Sequence, residues 1–372
     1  MKRYRIAVAA TVVLAALVAF AGRGEEPGAL TFELDRTYRS ASTFQIGLAD
    51  IDADGDLDAI VANMAGPSEV WRNDGSGRFV DTLQRLASGG HGVGLGDFDG
   101  DGDVDVFLVR ASIGESSRVY LNDGAGRFSD TGQQLIERHD AGNFVSIIDV
   151  DGDGDLDAAV YYSGRFNVVY HNDGTGRFAD AGSRIPGFAA WGDIDGDGCA
   201  DAVSLELSGA VVCQHSNGDG TFSEIWRWPD AGASFLPGNA RLGDLDGDGD
   251  LDLLFCRAVL SEEPLVVLLN DGTGGFAPHA EEQLRSRAAR VSLADVNGDG
   301  SLDVLLARLE RPVAIGLNDG TGRFIDSGLE LGGDVMNGVS AIGDLDGDSD
   351  LDLFIAVYGS SDPNEVWLNG TR

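Results

Sequence analysis

The chain has 372 residues, 43% of them hydrophobic, and a formal charge of −36 from 62 acidic against 26 basic residues. That length and apolar content suffice for a large core and exclude intrinsic disorder, while the charge excludes nucleic acid and anionic membrane surfaces as natural partners. Cations are the counterpart such a surface invites.

At the N-terminus, Lys2, Arg3 and Arg5 precede an apolar run from Ile6 to Phe20, and Ala19-Phe20-Ala21 supplies the small residues of a signal-peptidase site. The pattern predicts an exported protein with residues 1–21 as signal peptide, 22–28 as a short linker and 29–372 as one folded domain. The apolar run is short for a bilayer core of ~30 Å, so no stable membrane insertion is expected after signal removal. A secreted, periplasmic or cell-surface location follows.

Next comes an aspartate-rich cluster that recurs along the whole chain. It begins at Asp50, Asp97, Asp149, Asp193, Asp244, Asp295 and Asp344, at intervals of 47, 52, 44, 51, 51 and 49 residues. A second signature of the form NDGxGRF follows the first six, at Asn73, Asn122, Asn172, Asn217 (as NGDGTF), Asn270 and Asn318. Seven repeats of about 50 residues indicate a propeller or a solenoid. Each repeat reads as four strands: a run of small residues, the cluster, an apolar run such as "VDVFLVR", a third run ending at Asn-Asp-Gly, and a fourth beginning at Phe. Asn-Asp-Gly suits the left-handed backbone of a tight hairpin. Only "AEEQLRSRAAR" (Ala280 to Arg290) reads as a short helix.

The seventh repeat stops at "EVWLNGTR", before its fourth strand, whereas the mature N-terminus offers "GALTFELD", whose Phe32 can stand where Phe79, Phe128, Phe178 and Phe324 stand elsewhere. An N-terminal strand completing the last blade would close a ring. The predicted fold is therefore all-β: a seven-bladed β-propeller of four-stranded blades, closed by its N-terminal strand and expected to be a monomer.

The cluster has its own chemistry. Carboxylates at positions 1, 3 and 5 can turn toward one point when glycine at position 6 bends the backbone; a carbonyl at position 7 and a carboxylate at position 9 complete an oxygen cage suited to Ca2+. The side-chain ligands would be Asp50, Asp52, Asp54 and Asp58; Asp97, Asp99, Asp101 and Asp105; Asp149, Asp151, Asp153 and Asp157; Asp193, Asp195, Asp197 and Asp201. The last three loops would use Asp244, Asp246, Asp248 and Asp252; Asp295, Asn297, Asp299 and Asp303; Asp344, Asp346, Asp348 and Asp352. Position 7, contributing its main-chain oxygen, is Asp56, Asp103, Asp155, Cys199, Asp250, Ser301 and Asp350. An EF-hand would need Glu at position 12, where Val61, Leu108, Val160, Ser204, Phe255, Leu306 and Ile355 stand instead. Loops 6 and 7, with Asn297 and Ser301 in one and Ser349 in place of glycine in the other, are the expected weakest sites. Up to seven structural calcium ions would reduce a mature charge of −39 (Lys2, Arg3 and Arg5 removed) to about −25.

These residues carry a resemblance. D-x-D-x-D-G-D-x-D, an apolar strand and N-D-G-x-G-x-F together resemble the FG-GAP/VCBS repeat of integrin-alpha-type propellers, closer to the bacterial VCBS-like branch because the Phe-Gly and Gly-Ala-Pro dipeptides are not regular here. The resemblance implies calcium in the loops and a binding face opposite them, where "YYSGRF" (Tyr161 to Phe166), "RASIGESS" (Arg110 to Ser117) and "IWRWPD" (Ile225 to Asp230) fall. Trp226 and Trp228 could stack on sugars or pack within the blade.

The expected function is a non-catalytic module for adhesion or for binding an extracellular protein or glycan. The alternative is a propeller-based polysaccharide lyase or hydrolase, for which His91, His139, His171, His215 and His279 would be sought as acid/base groups. Cys199, Cys213 and Cys256 permit at most one disulfide, Cys199 with Cys213, or three unpaired thiols in core and loop positions. Asn369-Gly370-Thr371 is a glycosylation sequon.

Overall fold

The computed structural model describes residues 30–38, 42–110, 115–135, 142–162, 166–229, 240–257, 262–279, 283–333, 341–358 and 362–370. The signal peptide and linker, His139, the middle of "YYSGRF" and of "RASIGESS", Asp230 and Thr371 of the sequon lie outside them.

The described residues form seven antiparallel sheets arranged as the blades of a propeller; in six the main strands follow sequence order, and in the seventh the N-terminal strand lies beyond the last strand of the chain. Blade 1 shows the pattern: Thr43–Ala49, Asp58–Asn63, Pro67–Asn73 and Phe79–Ser88. Second strands are apolar throughout because both their faces are covered: Val106, Phe107, Leu108 and Val109 are all fully buried. Burying side chains of that size stabilises by roughly 1.5–3 kcal/mol each.

The core is divided among the joints between blades. One cluster sets Phe98, Phe107 and Val109 of blade 2 against Val145, Ile147 and Val160 of blade 3. Another sets Ile46, Val61 and Trp71 of blade 1 against Leu345, Phe354 and Val366 of blade 7. The ring is therefore closed by the same packing that joins consecutive blades.

Closure also occurs within the last sheet. The N-terminal strand Phe32–Tyr38 pairs with Asn364–Asn369, and Phe32 faces Asn369 in the register in which Phe79 faces Asn73 and Phe128 faces Asn122. The N-terminal strand thus occupies the outer position of blade 7.

Two expectations are corrected. The stretch Ala280 to Arg290 is not helical where described: Arg285–Ser286 pairs with Glu263–Pro264, and Ala288–Ala294 is the inner strand of blade 6. Gln283, Ser286 and Ala288 are buried, so pairing and burial between blades override local helix preference. The Asn of Asn-Asp-Gly is not a turn residue but the last residue of a strand, and the turn is the longer Asp-Gly-x-Gly-Arg loop. There Asp74 N–H donates to the Arg78 carbonyl, and Gly75 and Gly77 take φ of 76° and 71°. All three cysteines are free thiols: Cys199 sits in loop 4 and Cys213 is buried in its strand.

Candidate metal centres

Each aspartate cluster bends between the first and second strands of a blade, held open as a loop by its own carboxylates. In loop 2, Asp97 accepts hydrogen bonds from the N–H groups of Gly100 (2.8 Å) and Gly102 (3.0 Å). Asp99 accepts from Asp101 N–H, and Asp101 from Asp103 N–H. The left-handed glycine at position 6 (Gly102, φ 99°) allows the reversal. One carboxylate oxygen from each of Asp97, Asp99 and Asp101 then lies within 4.8 Å of the other two; Asp50, Asp52 and Asp58, and Asp149, Asp151 and Asp153, converge in the same way.

Position 9 differs in character. Asp105 is buried; its Oδ2 accepts from Phe98 N–H (2.9 Å) and its Oδ1 from Asn122 N–H (2.8 Å). The same pair of bonds is made by Asp58, Asp157, Asp201, Asp252, Asp303 and Asp352. Burial pushes Asp58, Asp105, Asp252 and Asp303 up to about 7, and Asp201 and Asp352 up to about 6. Each such oxygen keeps a second lone pair, so a position-9 carboxylate can pin the backbone and still face a cation.

The loop carboxylates offer oxygen donors, mostly anionic, which fit a hard cation with several ligands, Ca2+ above others, while in loops 3 and 4 a nitrogen of His171 or His215 joins the cluster. Positions 1, 3 and 5 would supply converging carboxylates. The ion would offset repulsion among groups that already crowd together without it.

The second signature serves the first. Asn122 Nδ2 donates to the carbonyl of Ile51, the position-2 residue of the preceding blade's loop (2.8 Å). Asn172, Asn270, Asn318 and Asn369 make the same 2.8 Å bond to Phe98, Ile194, Leu245 and Val296; Ser216 does so through its hydroxyl to Val150; and Asn73 reaches Leu345, across the ring closure. Glycine in the hairpin also has a reason: a Cβ on Gly75, Gly124 or Gly272 would lie 2.6 Å from a carboxylate oxygen of Asp56, Asp103 or Asp250 at position 7. Loops and hairpins therefore share one face of the ring.

The loops are not equivalent. In loop 7, Ser349 adopts φ 78° at the glycine position, and in loop 6 the Asn297 amide donates to Asp299. Loop 1 departs as well, which the spacing alone does not signal: Ala53 is left-handed (φ 59°), and Arg72 forms an ion pair with Asp52. Where blade 1 has Arg72, blades 3 and 4 have histidines. His171 Nδ1 lies 3.2 Å from Asp151 and 3.3 Å from Asp157, and His215 Nδ1 lies 3.0 Å from Asp195. The hydrogen bond to Asp157 raises the His171 pKa above its ordinary value, outweighing burial. Aligning the residue before each strand-ending Asn or Ser reveals this column: Arg72, Leu121, His171, His215, Leu269, Leu317 and Leu368.

On the opposite face, Trp226 packs edge-on to Phe276 of the next blade and Trp228 lies beneath Arg257. Both tryptophans are half-buried against the core, whereas Tyr161 and Tyr162 of "YYSGRF" are buried in it. Arg110 of "RASIGESS" is paired with Glu115 at 2.7 Å.

The FG-GAP-like repeat model matches residues 50–108, 97–160, 149–204, 193–255 and 295–355, each match running from one aspartate loop to the strand behind the next. The chain belongs to the FG-GAP-like repeat family. No curated protein matches the sequence. Among solved structures, this FG-GAP-like propeller is similar in fold to BBS1N in complex with ARL6DN, with a TM-score of 0.60 and 10% identity over 92% of this chain and 97% of that one. A protein from Lactobacillus plantarum gives 0.56 and 14% over 80% and 86%, and the WD40 domain of Toxoplasma gondii coronin gives 0.55 and 12% over 93% and 87%. Such identities carry the propeller fold alone.

Proposed function

We propose that this FG-GAP-like propeller is an exported, calcium-binding, non-catalytic module that recognises an extracellular protein or glycan, with calcium in a structural role. The observation that carries the calcium part is the convergence of three carboxylate oxygens within 4.8 Å in loops 1, 2 and 3. Ions bound there would rigidify the bend that presents each position-9 aspartate and each inter-blade amide bond. They bind the folded state only and so add stability by mass action.

With calcium assigned to scaffolding, recognition falls to the face opposite the loops. Export rests on the N-terminal sequence pattern, and among the described residues no helix is long and apolar enough to cross a membrane. The purified protein, in calcium, is applied to glycan and extracellular-protein arrays while the same preparation is assayed for polysaccharide cleavage. Saturable binding without product is the expected result. Release of unsaturated or reducing-end product would overturn the non-catalytic reading in favour of a lyase or hydrolase.

A further inference from the structure

Far from the loops, the centre of the ring holds an arrangement of the opposite charge. Arg290 lies on the inner strand of blade 6, yet its guanidinium carbon is 4.4 Å from the ring centroid of Phe44 in blade 1 and 5.4 Å from that of Phe144 in blade 3. Blades 6, 1 and 3 are not neighbours, so these contacts cross the central channel. His91 of blade 2 stacks on Phe44 with parallel planes at 4.1 Å, which leaves Arg290 the other face of that ring. Tyr358 of blade 7 meets Phe44 edge-on. Arg241, on the inner strand of blade 5, completes the set, close enough to Arg290 for the two charges to repel.

Neither arginine has a carboxylate partner among the described residues, although the chain carries 62 acidic residues. Among the described residues Arg241 donates from Nη1 to the adjoining Ala240 carbonyl (2.7 Å). Arg72, Arg85, Arg110, Arg227 and Arg308, on other strands of the blades, are all paired with Asp or Glu. Burial pushes Arg241 and Arg290 down to about 10, which leaves both charged at neutral pH. A second polar group is orphaned nearby: His91 Nδ1 contacts Asn143 Oδ1 at 3.0 Å, and its buried Nε2 has no partner.

Two half-buried cations with no carboxylate beside them among the described residues are costly, and a neutral ligand or a metal ion would not relieve them. An anion would. Guanidinium forks match planar or tetrahedral oxyanions, and both faces of Phe44 are already covered, so charge rather than stacking selects the occupant.

We propose that the central channel binds one oxyanion, a carboxylate or sulfate group, through Arg241 and Arg290. Phe44 and Phe144 lie near the ends of inner strands remote from the calcium loops, so the site specifies the ligand chemistry of the binding face proposed above and rests on that reading only for how a large ligand would enter. An empty glycan or protein array would leave the anion site standing, and a failed anion titration would leave the array result standing.

The calcium-loaded protein is titrated by calorimetry with sodium sulfate and with D-galacturonate, against sodium chloride at matched ionic strength and against neutral galactose. Saturable binding of one anion per chain is expected, weakened at least tenfold by Arg241→Gln or Arg290→Gln and abolished by the double substitution. Response to sulfate alone identifies a free inorganic anion as the source, and response to galacturonate alone an acidic sugar. Should the double variant fail to fold, selenate is soaked into crystals of the unaltered protein, where an anomalous peak between the two guanidiniums is expected. No response beyond chloride, a response kept by a folded double variant, or no selenate peak in the channel would overturn the proposal.

Discussion

Single side chains in this ring bridge blades as well as shape turns. Asn122 is the clearest case: its amide binds the buried Ile51 carbonyl of the preceding blade and the Val104 carbonyl of its own loop. Asn122→Ala leaves the first of these without a partner, and a loss of 1–3 kcal/mol is expected in urea unfolding with calcium present. An unchanged midpoint would mean that the bond adds nothing to the packing around it. The position-9 aspartates make a prediction about pH. The folded values of Asp58, Asp105, Asp201, Asp252, Asp303 and Asp352, about 6 to 7, lie above the ~3.9 of an unfolded aspartate, so between those limits the folded state binds more protons than the unfolded one. Stability from these groups is present below about pH 4 and lost as pH rises through about 7. Chelated protein should therefore melt at falling temperature from pH 4 to 7, with added calcium, which favours the ionised carboxylates, flattening the decline. A melting temperature of chelated protein that climbs across this window would contradict the assignment.

Strands and loops show what the linear pattern reveals and what it conceals. The seven loops, the four strands per blade and the role of Phe32 are legible because each depends on residues within one repeat or on counting repeats. The inter-blade amide bonds are not, since Asn122 and Ile51 are 71 positions apart and Asn73 and Leu345 are 272 apart. Nor are Arg72, His171 and His215 beside the loops legible from the loops alone: their strand reads as apolar pairing, and only its register turns them toward the aspartates. Ala280 to Arg290 misleads for the converse reason, good local helix residues recruited into pairing by buried neighbours. The closing strand supports a prediction of its own. Phe32–Tyr38 covers the edge of Asn364–Asn369, and the Tyr38 hydroxyl accepts from Phe79 N–H and contacts the Gly77 carbonyl in blade 1. Protein beginning at residue 42 should melt at least 10 °C lower and associate through the bared edge as concentration rises, by scanning calorimetry and light scattering. A monomer of unaltered stability would show that the strand is dispensable for closure.

At the scale of the whole molecule, charge is segregated: carboxylates crowd the loops on one face, while the channel holds two guanidiniums with no carboxylate partner among the described residues. Neutralising either group of charges should stabilise the ring, by calcium at the loops and by an oxyanion in the channel, and the two effects should add because the sites are far apart. The calcium effect is expected to be the larger, since repulsion at each loop is repeated around the ring. The most direct test of the account is the melting temperature of the purified protein in excess chelator and again with calcium restored, alongside the calcium content of the dialysed protein. Several ions per chain and a melting temperature lowered by chelator and recovered with calcium are predicted; protein free of calcium whose melting is indifferent to both additions would contradict it.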